Sequence, residues 1–399
     1  MRSTKNRVRF ARATPTRLAV AALTVAWRVS VALATAKGIE AGPLPQSAST
    51  QKPPTSEEAF KNVQALKGIS VDDFMQTMGI MSASLGFDCQ ECHVGAGTDQ
   101  VKWDFDTPRK RTARKMVEMV TAINRDNFNG RQVVSCWTCH RGRDRPVVTM
   151  SIETVYGTPK LETDDVIVQA QGMPPAEQIL DKYIQASGGA QKLATFTSFT
   201  AKGSSLGFRG FGGGGEVEIY AKAPDQRATR VHYNDPDRGD VNRTFDGRAG
   251  WLKTPLTVLP EYALTGGELD GARLDAQLSF PGQIKQLLTG WRVGNPATIA
   301  KRRVSVVQGT GPRGMVATLY FDRETGLLTR LVRYARTPIG RAPTQVDYSD
   351  YRDVDGIKIP FRWTMGWLDG LDTYQLSEVK LNAPVDPVKF GRPSSAPKR

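Results

Sequence analysis

Two five-residue runs hold the most specific chemistry in this sequence: Cys89-Gln90-Glu91-Cys92-His93 and Cys136-Trp137-Thr138-Cys139-His140. Both read C-x-x-C-H, the attachment signature of a c-type haem. Cysteines three apart lie on one side of a turn, where two sulfurs can form thioethers with the vinyl groups of one porphyrin. The next residue then projects its imidazole onto the iron from the proximal face. The four cysteines are all the chain has, so none is left over. With 3 histidines in 399 residues, a histidine after both motifs by chance has a probability of roughly 6 × 10⁻⁵.

The rival cysteine chemistries explain less. A structural zinc site built from two C-x-x-C pairs would have to span the 43 residues between Cys92 and Cys136, more than a zinc ribbon uses. A dithiol redox motif would stand once, on a thioredoxin-like unit that the pattern lacks. Neither accounts for His93 and His140.

Each iron has a second axial position. His232 is the only histidine outside the motifs, so two bis-histidine haems are excluded. Methionine thioether is the alternative, and a Met/His pair raises the reduction potential over two imidazoles. Met75, Met78 and Met81 precede the first motif, and Met116 and Met119 precede the second.

Both methionine groups fall on expected helices. Ser70 with Asp73 can form a capping box, and Gly86 is a plausible stop. Thr107-Pro108 reads as an N-cap followed by proline at the first helical position. That helix presents Ala113, Met116, Val117, Val120 and Ile123 on one face.

Composition sets the wider frame. Lys and Arg number 54 against 40 Asp and Glu, a net +14 in an otherwise ordinary globular composition. Half of that excess lies in residues 1–36, which hold Arg2, Lys5, Arg7, Arg9, Arg12, Arg17 and Arg28 and no acid. The remainder shows no basic block with interleaved aromatics, so nucleic acid is not expected as a partner. The basic start, the apolar run Leu18–Trp27 and the small residues Ala34-Thr35-Ala36 lay out a signal peptide cleaved near Ala36. Arg28 argues against a retained anchor. An exported, periplasmic protein is expected, soluble or membrane-associated.

The chain then divides into a linker (37–56), a helical segment with both motifs (57–150), a second linker (151–175), a mainly antiparallel β region (176–392) and a short tail (393–399). In the β region a helix from Ala176 to about Ser187 buries Ile179, Leu180, Tyr183 and Ile184 and stops at Gly188-Gly189. Strands are expected at 216–220, 227–232, 304–307, 316–321, 327–334, 357–365 and 373–381. Tight turns are expected at Asp322–Gly326 and Asp355-Gly356, with a helical stretch at Leu274–Gly290. Gly207–Gly215, with Phe208 and Phe211, lacks the Lys-Ser/Thr of a phosphate loop and reads as a hairpin tip. His232 is expected to be a strand residue without a metal role.

Two segments resemble known families. Asp73-Phe74-Met75-Gln76-Thr77-Met78 before Cys89, and Ala113–Asn124 before Cys136–His140 with Arg141-Gly142, resemble the helix–turn–C-x-x-C-H unit of the photosynthetic reaction-centre cytochrome c subunit. The resemblance covers about residues 57–147, with two haem motifs where that family has four, and without its lipid-modified N-terminal cysteine. It implies that Cys89, Cys92, His93, Cys136, Cys139 and His140 hold two covalent haems. By position it implies the axial pairs Met78/His93 and Met116/His140. Tyr351–Phe361 and the Ile179–Gly189 helix look like outer-membrane lipoprotein carrier domains, which implies an incomplete β-barrel over helices with an apolar cavity for acyl chains.

The expectation is a multidomain α + β protein: a small α-helical dihaem cytochrome c domain, then a mainly antiparallel incomplete β-barrel with a few helices. Its function would be single-electron transfer, with redox proteins, a membrane-bound complex among them, as the expected partners. No catalytic constellation stands out, so it is read as a carrier of electrons and not an enzyme. The alternatives are a hydrophobic-ligand or lipid carrier with an accessory haem domain, and a haem enzyme with an open iron site.

Overall fold

The computed structural model describes residues 52–157, 167–207, 214–234, 239–254, 258–368 and 370–393. The segment expected to be a signal peptide (1–36), most of the expected linker 37–56, the expected hairpin tip 208–213, part of the expected second linker and nearly all of the expected tail lie outside the described residues. Lys52–Arg399 forms one compact unit.

The first half is helical: α1 (Ser56–Ala59), α2 (Val71–Leu85), α3 (Pro108–Asn127), α4 (Cys136–His140), α5 (Ile152–Tyr156), α6 (Ala176–Ser187) and α7 (Ala190–Ala194). Strands follow: β1 (Ser198–Ser205), β2 (Gly215–Lys222), β3 (Gln226–Tyr233), β4 (Asp240–Phe245), β5 (Gly250–Lys253) and β6 (Glu261–Ala263). Helix α8 (Gly266–Leu278) interrupts them before β7 (Thr289–Val293), β8 (Ala297–Ile299), β9 (Arg302–Thr310) and β10 (Val316–Asp322). The chain closes on β11 (Leu328–Thr337), β12 (Gly340–Val354), β13 (Ile357–Gly366) and β14 (Leu371–Leu381).

The expected helix signals are the ones used. Ser70 caps α2 by accepting from the Asp73 amide at 3.1 Å and donating to its carboxylate at 2.9 Å. Gly86 ends α2 at φ 67°, the left-handed conformation that glycine adopts without strain. Thr107 caps α3 through the Lys110 amide, with Pro108 at the first position. Helix α6 occupies the expected residues and buries Ile179, Leu180, Tyr183 and Ile184. The stretch expected to be helical at 274–290 splits. Helix α8 starts earlier and stops at Leu278, and Pro281 opens a separate 3₁₀ turn, because its ring cannot continue an α-helix.

All strands pair antiparallel in one open sheet ordered β6-β5-β4-β3-β2-β1-β14-β13-β12-β11-β10-β9-β7, with β8 beside β9. The ends β6 and β7 do not meet, so the sheet is an unclosed barrel. Asp355 (φ 51°) and Gly356 (φ 78°) make the two-residue turn between β12 and β13, and only type I′ geometry places both at positive φ. Inside the curve, Leu180 and Tyr183 of α6 and Ile284 of the 3₁₀ turn join Phe199, Ile219, Leu319, Phe321 and Leu376 in the main core.

A buried charge cluster locks α8 to the sheet. Arg333 on β11 is 1% exposed and donates to both Glu268 oxygens, at 2.8 and 3.3 Å. Its guanidinium occupies the space where a side chain at Gly271 would lie. Arg243 reaches Glu268 at 3.2 Å, and Asp275 is shared by Arg243 and Arg333 at 3.9 and 3.8 Å. Burial pushes the Glu268 carboxyl up, but Arg333 and Arg243 overcome it and hold it below the usual carboxylate range.

Two outcomes follow for stability. Gly271→Ala forces the guanidinium aside and costs about 1–3 kcal/mol in a denaturant melt. Glu268→Gln leaves Arg333 buried without its anion and costs about 3–5 kcal/mol at pH 7. Because the folded-state pKa of Glu268 lies below its ordinary 4.5, its contribution is complete above that value and fades as pH falls beneath it. The Gln variant should therefore lose less stability than wild type on acidification from pH 5.

Candidate haem-attachment site

The first motif folds as a single 3₁₀ turn, Cys89–Glu91, capped by the Asp88 side chain on the Gln90 amide. The start of α3 is fastened to it. Thr107 Oγ1 donates to the Cys92 carbonyl at 3.1 Å, and Arg109 pairs with Glu91 while its guanidinium lies 4.7 Å from the centre of the Phe87 ring. Lys110 Nζ donates to the Trp103 and Phe105 carbonyls at 2.5 and 3.0 Å. Those bonds hold the Trp103 loop so that its ring meets the His93 ring nearly edge-on, with centres 5.0 Å apart.

His93 is half-buried in the wall of a cavity of about 2010 Å³, which Met75, Met78 and Met81 of α2 and Val117 of α3 also line. Burial first, and the Lys110 charge second, push its imidazole down to about 4. The ring is thus neutral at pH 7, the form that can bind a metal. Its Nδ1 is buried without a hydrogen-bond partner.

The second motif is a full helical turn, α4. Ser135 and Thr138 form its capping box, with the Ser135 amide donating to Thr138 Oγ1 at 3.0 Å. Upstream, Asn124 of α3 fixes the incoming chain: its Nδ2 donates to the Val134 carbonyl at 2.7 Å, and its Oδ1 accepts from the Val133 and Val134 amides, both at 2.9 Å. Downstream, the Gly142 amide donates to the Ser84 carbonyl of α2 at 2.9 Å. A side chain at Gly86 would meet the Gly142 oxygen at 2.5 Å, so glycine is needed where α2 and this loop touch. His140 Nδ1 lies 3.0 Å from the Arg143 carbonyl. A carbonyl only accepts, so Nδ1 carries the proton and Nε2 keeps its lone pair for a metal.

The cysteines suit thioether attachment better than their rival roles. Cys89 and Cys139 are exposed, Cys92 and Cys136 are half-buried, and none forms a disulfide. Burial pushes the Cys92 and Cys136 thiols up, the reverse of an activated redox pair. Among the described residues no three His, Cys, Asp or Glu side chains converge as a metal cluster, which the zinc reading requires.

The candidate methionines are placed differently. Met78 shares the cavity wall with His93 and, with Met81 and Cys136, packs against a small core of Leu66, Ile80, Val117, Ala335, Ile339 and Ala342. Met116 is half-buried on α3 beside Val117 and outside that wall, and Met119 is 43% exposed. His232 stands on β3 with Nδ1 2.5 Å from Asp240 Oδ1. Lys110, Trp103 and Asn124 were not singled out from the sequence; their roles arise from loop packing that no motif encodes.

Among the described residues no helix is long and apolar enough to cross a membrane. Residues 25–173 match the family model described as the photosynthetic reaction centre cytochrome C subunit. Over 108 residues the chain is 36% identical to the reaction-centre cytochrome c subunit of Thermochromatium tepidum, covering 26% of this chain and 25% of that protein. Over 98 residues it is 31% identical to the subunit of Roseobacter denitrificans, covering 23% and 26%. The chain thus spans about a quarter of the length of these curated relatives. Among solved structures, a DUF1329 family protein from Desulfovibrio piger aligns over 55% of this chain and 98% of its own at 12% identity and TM-score 0.38. A LolA superfamily protein from Nitrosomonas europaea aligns over 55% and 99% at 15% identity and TM-score 0.35. The segment that carries both C-x-x-C-H motifs is therefore similar to reaction-centre cytochrome c subunits, as the sequence resemblance implied.

Proposed function

We propose that the protein is an exported dihaem c-type cytochrome that passes single electrons between redox partners. In this reading Cys89 and Cys92 attach one haem and Cys136 and Cys139 the other. His93 and His140, together with Met78 and Met116, would be the residues that hold the two irons. The observation that carries it is the pair of C-x-x-C-H turns, each followed by an imidazole kept neutral or tautomer-fixed for a metal. A bound haem iron supplies the one-electron couple. The chain's own residues do the rest. The α3 cap and Lys110 hold the first motif and its Trp103 wall, Asn124 and Ser84 hold the second, and the apolar side chains of α2 and α3 keep water from the site. Export through a signal cleaved near Ala36 would place the thiols where haem attachment takes place, and a membrane-bound redox complex fits as partner.

A second reading has its own observation. The cavity at His93 continues along the inner face of the sheet, where Phe199, Val231, Tyr348, Trp363 and Tyr374 line it. Ligand pockets usually measure about 300–1,000 Å³, so about 2010 Å³ leaves room for a hydrophobic ligand beyond the motif end. We propose that residues 176–392 also serve as a carrier for such a ligand.

Mass spectrometry of the exported protein should show two added porphyrins, and Cys89→Ser with Cys92→Ser should leave one. A mature mass equal to that of the bare polypeptide refutes the proposal. Met116→Ala should lower the potential of the second haem or let its iron bind carbon monoxide, while Met119→Ala leaves both properties at the wild-type level in a potentiometric titration. Wild-type behaviour in both variants removes Met116 as a ligand.

A further inference from the structure

The sheet end of the cavity is lined mainly by apolar and aromatic side chains, with Arg227, Arg243, Glu268, Asp275, Lys358 and Asp372 also on its wall, and Lys358 is paired with Asp353. Arg227 projects from β3 into this wall, with its guanidinium 4.7 Å from the centre of the Trp363 ring and Nη1 donating to Ser279 Oγ at 2.6 Å. Among the described residues it forms no ion pair. The carboxylates nearest in the cluster are already engaged: Glu268 with Arg333 and Arg243, and Asp275 between the same two arginines. Burial pushes the remaining acid of the cluster, Asp72, well up, and the Glu268 charge pushes it further. Its Oδ2 accepts from the Thr265 amide at 2.8 Å. Asp372, elsewhere on the wall, accepts from Ser205 Oγ at 2.9 and 2.8 Å. Arg243 and Arg333 each have a carboxylate within salt-bridge distance, whereas Arg227, which also lines the cavity, has none among the described residues.

Arg227 is half-buried against the Ser279 hydroxyl and the Trp363 ring, with the Asp275 charge acting on it only from beyond salt-bridge distance, so an anion that met it directly would be favoured. An apolar channel ending in such a cation selects a molecule with a long hydrocarbon body and one negative head. We propose that the sheet end of the cavity binds a long-chain carboxylate amphiphile, with the carboxylate on Arg227 and the chain against Phe199, Val231, Tyr348 and Trp363. The proposal rests on the carrier reading above and adds to it the charge of the ligand and the residue that reads it.

The test uses the full-length exported protein and two probes of equal chain length, oleate and oleyl alcohol, followed by calorimetry or displacement of a fluorescent fatty acid. Wild type should bind oleate about ten- to a hundredfold more tightly than the alcohol, the scale of a charged hydrogen bond. Arg227→Met should bring the two probes to equal affinity, and Arg227→Lys should restore part of the preference. Equal affinities in wild type overturn the carboxylate assignment while leaving the carrier reading intact. Binding of neither probe overturns both. Should Arg227→Met fail to fold, the wild-type ratio and the Lys variant still decide.

Discussion

Helix α2 is held against the sheet by contacts that involve no cysteine. At its start the Asp72 carboxylate takes the Thr265 amide, and Ser70 Oγ lies 2.6 Å from Thr265 Oγ1. In its middle Ile80 shares a core with Ala335, Ile339 and Ala342. At its end the Ser84 carbonyl binds the loop after the second motif. Both cysteine motifs take their position from this helix or from α3 beside it. The helical segment is thus part of the same packed body as the sheet, and the sites it carries inherit the sheet's rigidity.

That arrangement explains why strongly charged groups are buried at the junction. Arg333, Glu268 and Arg243 cost desolvation energy wherever they lie, and they return it only when their geometry is fixed. Gly271 allows α8 to come close enough for the bidentate contact. Glu268, Arg243 and Asp275 of the cluster also line the cavity.

Much of this was legible in the residues. Ser70, Gly86, Thr107 and Pro108 announce their helix ends because capping is a local matter of one side chain and one amide. Asp355-Gly356 announces a type I′ turn for the same reason. The mainly antiparallel sheet followed from alternation in several strands, and its openness from the resemblance to carrier domains. What the sequence hid depends on distant partners. Strands β1, β4 to β8 and β12 are short, polar or edge-like, and they are strands because of their neighbours. Pro281 splits the stretch that apolar spacing joined. Within the site, the cysteines and histidines were plain, since covalent chemistry demands a fixed spacing. Lys110, Trp103 and Asn124 were not, because each works through a backbone carbonyl or amide of a loop, and any residue type can offer one.

His93 and Arg227 both line the same cavity. Groups that share one low-dielectric void are thermodynamically linked, and such linkage is reciprocal. A negative head seated at the sheet end would favour the more positive oxidation state at the motif end, and oxidation there would tighten the hold on the head by the same factor. If both proposed ligands bind, loading with one would report on loading with the other without any hinge.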